Sequence, residues 1–375
     1  MTRARPLILS AIGAYWPGND ASGPNQSFRA LAQGLAESFD FHLLARDRPF
    51  GGSAAVPTQF APFPATYLSP RFRLPTALLR VIRRLTPDLL WLNGFFDREF
   101  TLPVLIARRL GLLPNRPLLL SPRGEFNPGA LAIKPHRKQV YLRGLKAAGL
   151  LDAVTFHATN EDEATGVRSC LPGQRVIVAP NVRPLMQPQP HVRDARLRLA
   201  FLGRITPVKN LDVALRILSE VRTPIRFDIH GPVEDGPYWR ACQQIIAGLP
   251  DHIAVIQHGA YRNADLADHL ARADLLFLPT AGENFGHAIF EALSCGVPVL
   301  ISDRTPWRNL EASQAGWDLP LEQHQAFAAA IDRFAAMDDT ARARWRLGAR
   351  LLAERHVLAS DAVGANQQML RRLCA

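Results

Sequence analysis

The stretch PTAGENFGHAIFEALSCGVPV, residues 279–299, decides which fold the sequence predicts. It continues the apolar run 274–279 and is typical of a strand end, a glycine-containing turn, a helix and the next strand. A turn that enters a helix presents unpaired backbone amides and the positive end of the helix dipole. The stretch therefore predicts a β-α-β unit whose turn suits a phosphate group.

The same alternation of strand and helix patterns continues through all 375 residues. Strands are predicted at residues 6–13, 39–45, 88–93, 117–121, 153–159, 175–179, 197–203, 225–231, 253–259, 274–279, 298–302 and, weakly, 316–319. Helices are predicted at residues 25–38, 75–85, 102–110, 130–148, 210–221, 238–247, 263–271 and 286–295, and throughout the chain after 319. Consecutive apolar positions are typical of strands covered on both faces. Repeated β-α units of this kind predict an α/β protein with parallel sheets.

The length predicts two domains, because a single core seldom grows beyond about 250–300 residues. The stretch 179–190 contains four prolines, which interrupt both helices and strands. We therefore expect two facing Rossmann-like domains, 1–187 and 188–375. The last helix of the chain could pack back on the N-terminal domain. Ligands of such sheets bind beyond the carboxyl ends of the strands, which predicts a site in the cleft between the domains. The proline-rich stretch 49–75 is either a substrate-facing loop or a plain surface insertion.

The net charge of +11 is confined to the first half of the chain. Residues 1–190 contain 23 Lys and Arg against 12 Asp and Glu, whereas residues 191–375 contain 21 of each. The first half therefore favours an anionic neighbour: nucleic acid, an anionic membrane surface or a phosphorylated substrate.

The cysteines and the hydropathy pattern exclude several classes of protein. The four cysteines lie far apart without a CxxC pair, which argues against a disulfide framework and a cysteine zinc site. No apolar run reaches the ~18 residues that a membrane-spanning helix needs. Residues 1–14 faintly resemble a signal peptide, but a first β-strand is the better interpretation.

Two glutamates stand in the turn and helix of the 279–299 stretch. Glu283 is expected in the turn and Glu291 about a turn and a half into the helix, so both could face one ligand. Carboxylates accept hydrogen bonds from paired hydroxyl groups, which suits a sugar. The alternative is an acid at a helix start and a solvated helix acid, without a ligand.

A second motif, FLGRITPVKNL at residues 201–211, follows a predicted strand. Gly203 would allow close approach of the backbone to a ligand. Arg204 and Lys209 precede a helix, and two cations there suit a diphosphate. The motif is neither a Walker loop nor GxGxxG, and an ordinary surface pair of cations is the alternative.

Together these motifs resemble the signature of the retaining GT-B glycosyltransferases of the GT4 type. The resemblance is carried by Glu283 and Glu291 eight residues apart, NFG at 284–286, EAL at 291–293 and GVPV at 296–299. The Gly-Arg-x-x-x-x-Lys pattern precedes them in the family's order. The segment SDRTPW at residues 302–307 resembles the corresponding segment of a bacterial subgroup of this family. The resemblance is strong over residues 197–310 and diffuse over 1–190.

The resemblance implies a role for each donor-side residue. Arg204 and Lys209 would bind the diphosphate of a nucleotide-sugar beside Gly203, and Glu291 would bind the ribose. Glu283 would be the catalytic-site residue, positioning the transferred sugar rather than acting as a nucleophile. The turn amides that help to hold the sugar would belong to Asn284, Phe285 and Gly286.

The first half matches the family less closely. Gly23 lies in the loop 20–27, where the family keeps a glycine-rich loop near donor phosphate and acceptor. Arg123 stands where many relatives have a histidine, so it could contact a phosphate or the acceptor instead. His157 and His136 are interpreted as structural or surface residues.

The resemblance implies an enzyme that moves a sugar from a nucleotide-sugar to a glycan or lipid-linked saccharide. It implies retention of anomeric configuration, no obligatory metal or other cofactor, and a role in cell-surface polysaccharide biosynthesis. The alternatives are a GT-B-type nucleotide-sugar epimerase and, remotely, a basic nucleic-acid-binding protein. Nucleic acid is not an expected partner of the transferase.

A basic stretch at residues 130–150 leaves the location of the enzyme open. Its six basic residues lie among apolar ones, a pattern that suits an anionic membrane surface or a merely solvated face. We expect a cytoplasmic protein, with peripheral binding at the inner face of the membrane as an option.

Overall fold

The computed structural model describes residues 5–15, 19, 22–48, 62–69, 74–132 and 134–375. These residues form two compact units, which divide the chain into Met1–Arg183 with Asp361–Ala375 and into Pro184–Ser360. The change of unit at Arg183 and Pro184 lies inside the proline-rich stretch, where missing amide donors and fixed φ angles prevent regular structure.

In the first unit, the described residues form a seven-stranded parallel sheet of order β3-β2-β1-β4-β5-β6-β7. Its strands are β1 (Leu7–Ile12), β2 (Asp40–Arg46), β3 (Ala65–Leu68), β4 (Leu89–Asn93), β5 (Leu118–Ser121), β6 (Val154–Ala158) and β7 (Arg175–Val178). Its helices before the proline-rich stretch 179–190 are α1 (Gly23–Gly34), α2 (Leu74–Leu85), α3 (Thr101–Arg109), α4 (Pro128–Leu131), α5 (Pro135–Ala147) and α6 (Glu161–Cys170).

The second unit has a six-stranded parallel sheet of order β10-β9-β8-β11-β12-β13. Its strands are β8 (Leu197–Leu202), β9 (Ile225–His230), β10 (Ile253–Gly259), β11 (Leu275–Leu278), β12 (Val299–Ser302) and β13 (Gly316–Leu319). Its helices are α7 (Leu211–Leu218), α8 (Gly236–Ala247), α9 (Leu266–Ala271), α10 (His287–Ser294), α11 (His324–Ala335) and α12 (Asp339–Ser360).

The last helix, α13 (Ala362–Cys374), belongs to the first unit. The side-chain amide of Asn366 donates to the carbonyl of Pro180 at 2.8 Å, and that of Gln367 donates to the Ser38 hydroxyl at 2.6 Å. Leu370 is fully buried in the same core as Phe28 of α1. These contacts tie the end of the chain to its beginning.

Apolar packing explains why the central strands lie where the sequence predicts them. Every residue of β8, β11 and β12 is buried, as expected for strands covered by helices on both faces. Phe201, Phe227 and Phe277 lie on the three adjacent strands β8, β9 and β11. The ring centroid of Phe227 is 6.4 Å from that of Phe201 and 6.1 Å from that of Phe277. Burying each such side chain stabilises the fold by about 1.5–3 kcal/mol.

The α/β class and the parallel sheets are confirmed, and all twelve predicted strands are present. The strand β3, at Ala65–Leu68, was not predicted because it lies in the proline-rich stretch 49–75. Most of that stretch, which was expected to be a loop or an insertion, lies outside the described residues.

The predicted helix at residues 130–148 was wrong as a single helix. The structure divides it into α4 and α5. Lys134 has a φ of +54°, and Pro135 follows it as the first residue of α5. A residue before proline avoids the right-handed helical region, so the earlier helix cannot continue into α5.

Across the described ranges, each helix is too short or too polar to span a lipid bilayer.

Candidate functional site

The two motifs of the second half meet where the order of the sheet reverses. In the second unit, this reversal lies between β8 and β11, so their following connections leave the sheet in opposite directions. Open α/β sheets bind ligands outside the carboxyl ends of the strands at such a point. Gly203 follows β8 and the 279–286 turn follows β11, which places both motifs at this position.

Hydrogen bonds join the two loops to each other. The amide of Ala281 donates to the carbonyl of Val208 at 2.9 Å, and the Thr280 hydroxyl donates to the same carbonyl at 3.0 Å. The side-chain amide of Asn210 donates to the carbonyl of Pro279 at 3.0 Å. The geometry of one motif therefore depends on the other.

Lys209 and Glu283 form an ion pair at the centre of this arrangement. Only 17% of the Lys209 side chain and 12% of the Glu283 side chain are exposed. The stem of Lys209 lies over Gly203, with Lys209 Cε 3.5 Å from where a Cβ on that glycine would be. Residues 74 positions apart in sequence thus place a cation and a carboxylate in one partly buried spot.

Arg204 lies at the edge of the site. Its guanidinium is paired with Glu234 at 2.8 Å, and 61% of the Arg204 side chain is exposed. Because exposed pairs are weak, Arg204 can exchange Glu234 for another anion at little cost.

The turn before α10 needs glycine at its last position. Gly286 has a φ of +75°, and a Cβ there would lie 2.8 Å from Ile289 Cδ1 and 3.2 Å from Trp307 Nε1. The carbonyl of Gly286 accepts the first bond of α10, from the Phe290 amide at 2.9 Å. The turn amide of Glu283 donates to Arg304.

Glu291 is buried inside α10, with 2% of its surface exposed. The alternative of a solvated helix acid was therefore wrong. The neighbouring thiol of Cys295 has its pKa raised to about 12, first by burial and then by the charge of Glu291. Burying a carboxylate costs free energy unless the group is paired or hydrogen-bonded.

In the first unit, Arg123 follows β5 in a left-handed conformation, with a φ of +56°. Its guanidinium donates to Asn93 at 2.9 Å and to Asn181 at 3.1 Å. Burial lowers the pKa of Arg123 to about 10, and the charge of Glu163 opposes that shift. Arg123 therefore remains a cation at neutral pH, near the carboxyl ends of β4 and β5.

Gly23 is the first residue of α1, and its carbonyl accepts a bond from Arg183 at 3.5 Å. Asp20 and Ala21 of the predicted loop lie outside the described residues. Pro24 follows at the first helical turn, where its missing amide hydrogen is not needed.

His157 is buried and hydrogen-bonded, in agreement with its interpretation as a structural residue. A chain of donors runs from Trp91 Nε1 to the Ser121 hydroxyl, on to His157 Nδ1, and from His157 Nε2 to the Ala179 carbonyl, with distances of 2.7, 2.7 and 2.9 Å. Burial, and then the charge of Arg123, lower the pKa of His157 to about 3. His136 is exposed on α5.

Sequence reasoning missed a polar cavity of about 290 Å³ on one face of the second sheet. Arg226, Asp228 and His230 alternate along β9 and line it, so a period-two polar pattern inside a buried strand was the signal. His230 lies between His258 and His269, with ring centroids 4.4 Å from each. Arg198, Arg272, Asp265 and Asp268 complete its charged lining.

This histidine cluster makes stability depend on pH. Burial, followed by the charges of His269 and His258, lowers the pKa of His230 from 6.5 to about 3. The folded state therefore keeps His230 neutral, while the unfolded state gains a proton below about pH 6.5. The stabilisation is complete above that pH and is lost as the pH falls towards 3.

We expect the parent protein to lose about 2 kcal/mol of unfolding free energy through His230 between pH 7 and pH 5. The variant His230→Asn should show a smaller fall in Tm over this interval, measured by calorimetry. His136→Asn, which changes an exposed histidine, is the matched control. Equal falls in Tm for parent and His230→Asn would contradict the assignment.

Among the described residues, no group of three or more His, Cys, Asp and Glu side chains is placed to hold a metal ion.

Comparison with known proteins identifies the family of the second unit. Residues 196–337 match the family described as glycosyl transferases group 1. The second unit therefore carries a glycosyl transferases group 1 domain. The matched region of this group 1 domain contains both motifs, with Gly203, Lys209 and Glu283 among its residues.

A curated relative matches part of the chain. A D-inositol 3-phosphate glycosyltransferase of Mycolicibacterium gilvum (strain PYR-GCK) is 31% identical over 108 residues, which cover 27% of this chain and 23% of that protein. The chain spans only 22–38% of the length of the first curated relatives that it matches. The sequence likeness is thus local.

Solved structures match over nearly the whole chain. Sucrose-phosphate synthase from Thermosynechococcus elongatus has a TM-score of 0.73 at 18% identity, covering 98% of each chain. HepE of Anabaena, in complex with UDP and glucose, has a TM-score of 0.69 at 17% identity, covering 98% of this chain and 99% of that one. The group 1 domain thus belongs to a chain with the GT-B glycosyltransferase fold.

Proposed function

We propose that the protein is a glycosyltransferase that moves a sugar from a nucleotide-sugar donor to a saccharide acceptor, with retention of anomeric configuration. The observation that carries the proposal is the Lys209–Glu283 pair at the reversal of the second sheet. It supplies a cation and a carboxylate to one partly buried position, as recognition of a sugar diphosphate requires. A structural relative contains UDP and glucose, which supports this choice of donor.

In this proposal each donor-side residue keeps the role that the family resemblance implies. Lys209 and Arg204 hold the diphosphate, and Gly203 lets the backbone approach it. Glu283 positions the sugar, and Glu291 binds the ribose. The turn residues that line the sugar side are Asn284, Phe285 and Gly286.

The chemistry proposed is stabilisation of the leaving diphosphate by fixed positive charge. As the bond from the anomeric carbon to the diphosphate oxygen breaks, negative charge grows on that oxygen. Lys209, which is mostly buried, stabilises this charge in place. Arg204 adds a second cation once it exchanges Glu234 for the diphosphate. The acceptor hydroxyl attacks from the same face and passes its proton to the leaving phosphate, so Glu283 is not required as a nucleophile.

The first unit is the proposed acceptor side, with Arg123 and Gly23 near the carboxyl ends of its strands. Its net positive charge favours a glycan or lipid-linked saccharide that carries phosphate or lies at an anionic membrane. Leu145 is the one fully buried residue of α5, and the exposed positions of this helix include Arg137, Arg143 and Lys146. This helix supports cytoplasmic location with peripheral contact to the inner face of the membrane, in polysaccharide biosynthesis.

The proposal is tested with the purified 375-residue chain and a panel of UDP-, GDP-, ADP- and dTDP-sugars. We expect one nucleotide-sugar to bind by calorimetry, and a saccharide acceptor to gain a sugar with the donor's anomeric configuration, read by NMR. Binding to none of them would overturn the proposal. Conversion of the donor sugar to its epimer without transfer would instead support a nucleotide-sugar epimerase.

Removal of Glu234 should strengthen donor binding. Because Glu234 is paired with Arg204, the change Glu234→Gln frees that cation for the diphosphate. The exposed pair is worth at most about 1 kcal/mol, so we expect donor Kd to fall about two- to fivefold. Calorimetry measures this, with Glu311→Gln, which breaks an exposed pair to Arg333, as the control. A Kd that stays constant or rises would contradict the exchange.

A further inference from the structure

The segment 302–307, which begins at the last residue of β12, holds the donor turn at three points. The Ser302 hydroxyl donates to the Thr280 carbonyl at 2.5 Å, and the carbonyl of Arg304 accepts from the Glu283 amide at 3.0 Å. The third contact is made by Trp307, whose Nε1 donates to the carbonyl of Phe285 at 2.7 Å. The segment therefore fixes the beginning, middle and end of the turn.

Trp307 is placed to hold this bond rigidly. Only 6% of its surface is exposed. Its ring lies 6.3 Å from Phe290 in α10 and 4.8 Å from His356 in α12, measured between ring centroids. Gly286 closes against the indole, since a Cβ at that glycine would lie 3.2 Å from Trp307 Nε1. The indole is thus packed on several sides before it makes its hydrogen bond.

The bond to Phe285 determines the direction of a different group. The peptide between Phe285 and Gly286 is trans, and a peptide unit is planar, so its carbonyl and amide point in opposite directions. Holding the carbonyl of Phe285 towards Trp307 turns the amide of Gly286 away from the indole. This amide belongs to the turn assigned to the donor sugar.

We infer that Trp307 is a positioning residue for the donor, which acts by orienting the amide of Gly286. The inference rests on the proposed function. A neutral hydrogen bond contributes about 0.5–1.5 kcal/mol net, and a misdirected amide would forfeit about that much of the donor's binding. Because the ground state and the transition state both use this amide, its loss should raise KM rather than lower kcat.

The test compares Trp307→Phe with the parent in the full chain. Phenylalanine keeps an aromatic ring but cannot donate to Phe285. We expect donor KM to rise about three- to tenfold, with kcat and acceptor KM within twofold of the parent. A donor KM equal to that of the parent would overturn the inference.

The matched control is Trp317→Phe in the same unit. Trp317 is also buried, at 3% exposed, and stacks on Trp345 at 4.2 Å, away from the donor turn. A merely structural tryptophan should lower Tm without changing donor KM, as expected for Trp317→Phe. Equal rises of donor KM in both variants would also overturn the inference.

A measurement on the parent keeps the inference testable if Trp307→Phe does not fold. Addition of the donor should slow hydrogen exchange at the Gly286 amide, read by NMR, relative to the amide of Trp317. Unchanged exchange at Gly286 with donor bound would contradict the inference. Absence of donor binding by the parent would instead contradict the proposed function.

Discussion

The double variant Arg204→Ala/Lys209→Ala is expected to lose sugar transfer by about 10³-fold or more. Both cations of the proposed diphosphate site disappear, and the leaving group then develops its charge without a fixed positive partner. Initial rates with a saturating acceptor, together with calorimetry for the donor, measure the loss. Transfer at the parent's rate would refute the diphosphate assignment.

The single variants should differ because the two cations differ in exposure. The Lys209 side chain is 17% exposed, whereas that of Arg204 is 61% exposed and better screened by water. We therefore expect Lys209→Ala to account for most of the loss. Part of its effect comes from Glu283, which is left partly buried without its cation.

The matched control for the double variant is Lys134→Ala/Arg137→Ala, at the exposed start of α5. It removes the same number of positive charges from the protein. If bulk charge explained activity, both double variants would fail alike with a soluble acceptor. Retained transfer in the control would localise the effect to the site.

The second large effect is expected for Gly231→Ala. Gly231 follows β9 with a φ of +153°, and a Cβ there would lie 1.9 Å from the carbonyl oxygen of Gly203. The amide of Gly203 also donates to the His230 carbonyl at 3.0 Å, so the two loops are joined at this contact. The alanine must push the donor loop away or distort the end of β9.

We expect Gly231→Ala to lower the free energy of unfolding by about 3 kcal/mol and Tm by about 6–12 °C. Donor Kd should rise at least about tenfold, because Gly203 would move away from the diphosphate position. Calorimetry gives both quantities. Gly236→Ala is the control, since the nearest atom to its new methyl group would be Arg240 Nη1 at 3.7 Å. Parent-like Tm and Kd in Gly231→Ala would show that the loops can separate freely.

Pattern reasoning worked best where burial and local chemistry give the same answer. The strands β8, β11 and β12 are apolar at almost every position and are bounded by glycine, proline or polar turns, so their existence could be predicted. The short strand β3 could not, since only its pairing with β2 distinguishes it from the surrounding proline-rich chain. The break between α4 and α5 was predictable in principle, because Pro135 stands at it.

The candidate site was predictable in its residues but not in their pairing. Glu283 and Lys209 follow different strands, and only parallel pairing of β11 with β8 brings those strand ends together. The cavity around His230 was not predicted, because its lining comes from three strands, from α9 and from the residues that flank α9. The SDRTPW segment drew attention to Trp307, but the sequence did not show that its indole would bond to Phe285.

The sequence by itself determined the α/β class, the order of the β-α units and the residue types offered at each strand end, since these follow from local periodicity and turn chemistry. Only the tertiary structure decided which of these groups meet. It paired Lys209 with Glu283, set Gly231 against Gly203, buried Glu291 and directed Trp307 at Phe285. The physical reason is that these contacts join segments far apart in sequence, and their positions depend on how strands pair and helices pack, which no local pattern encodes.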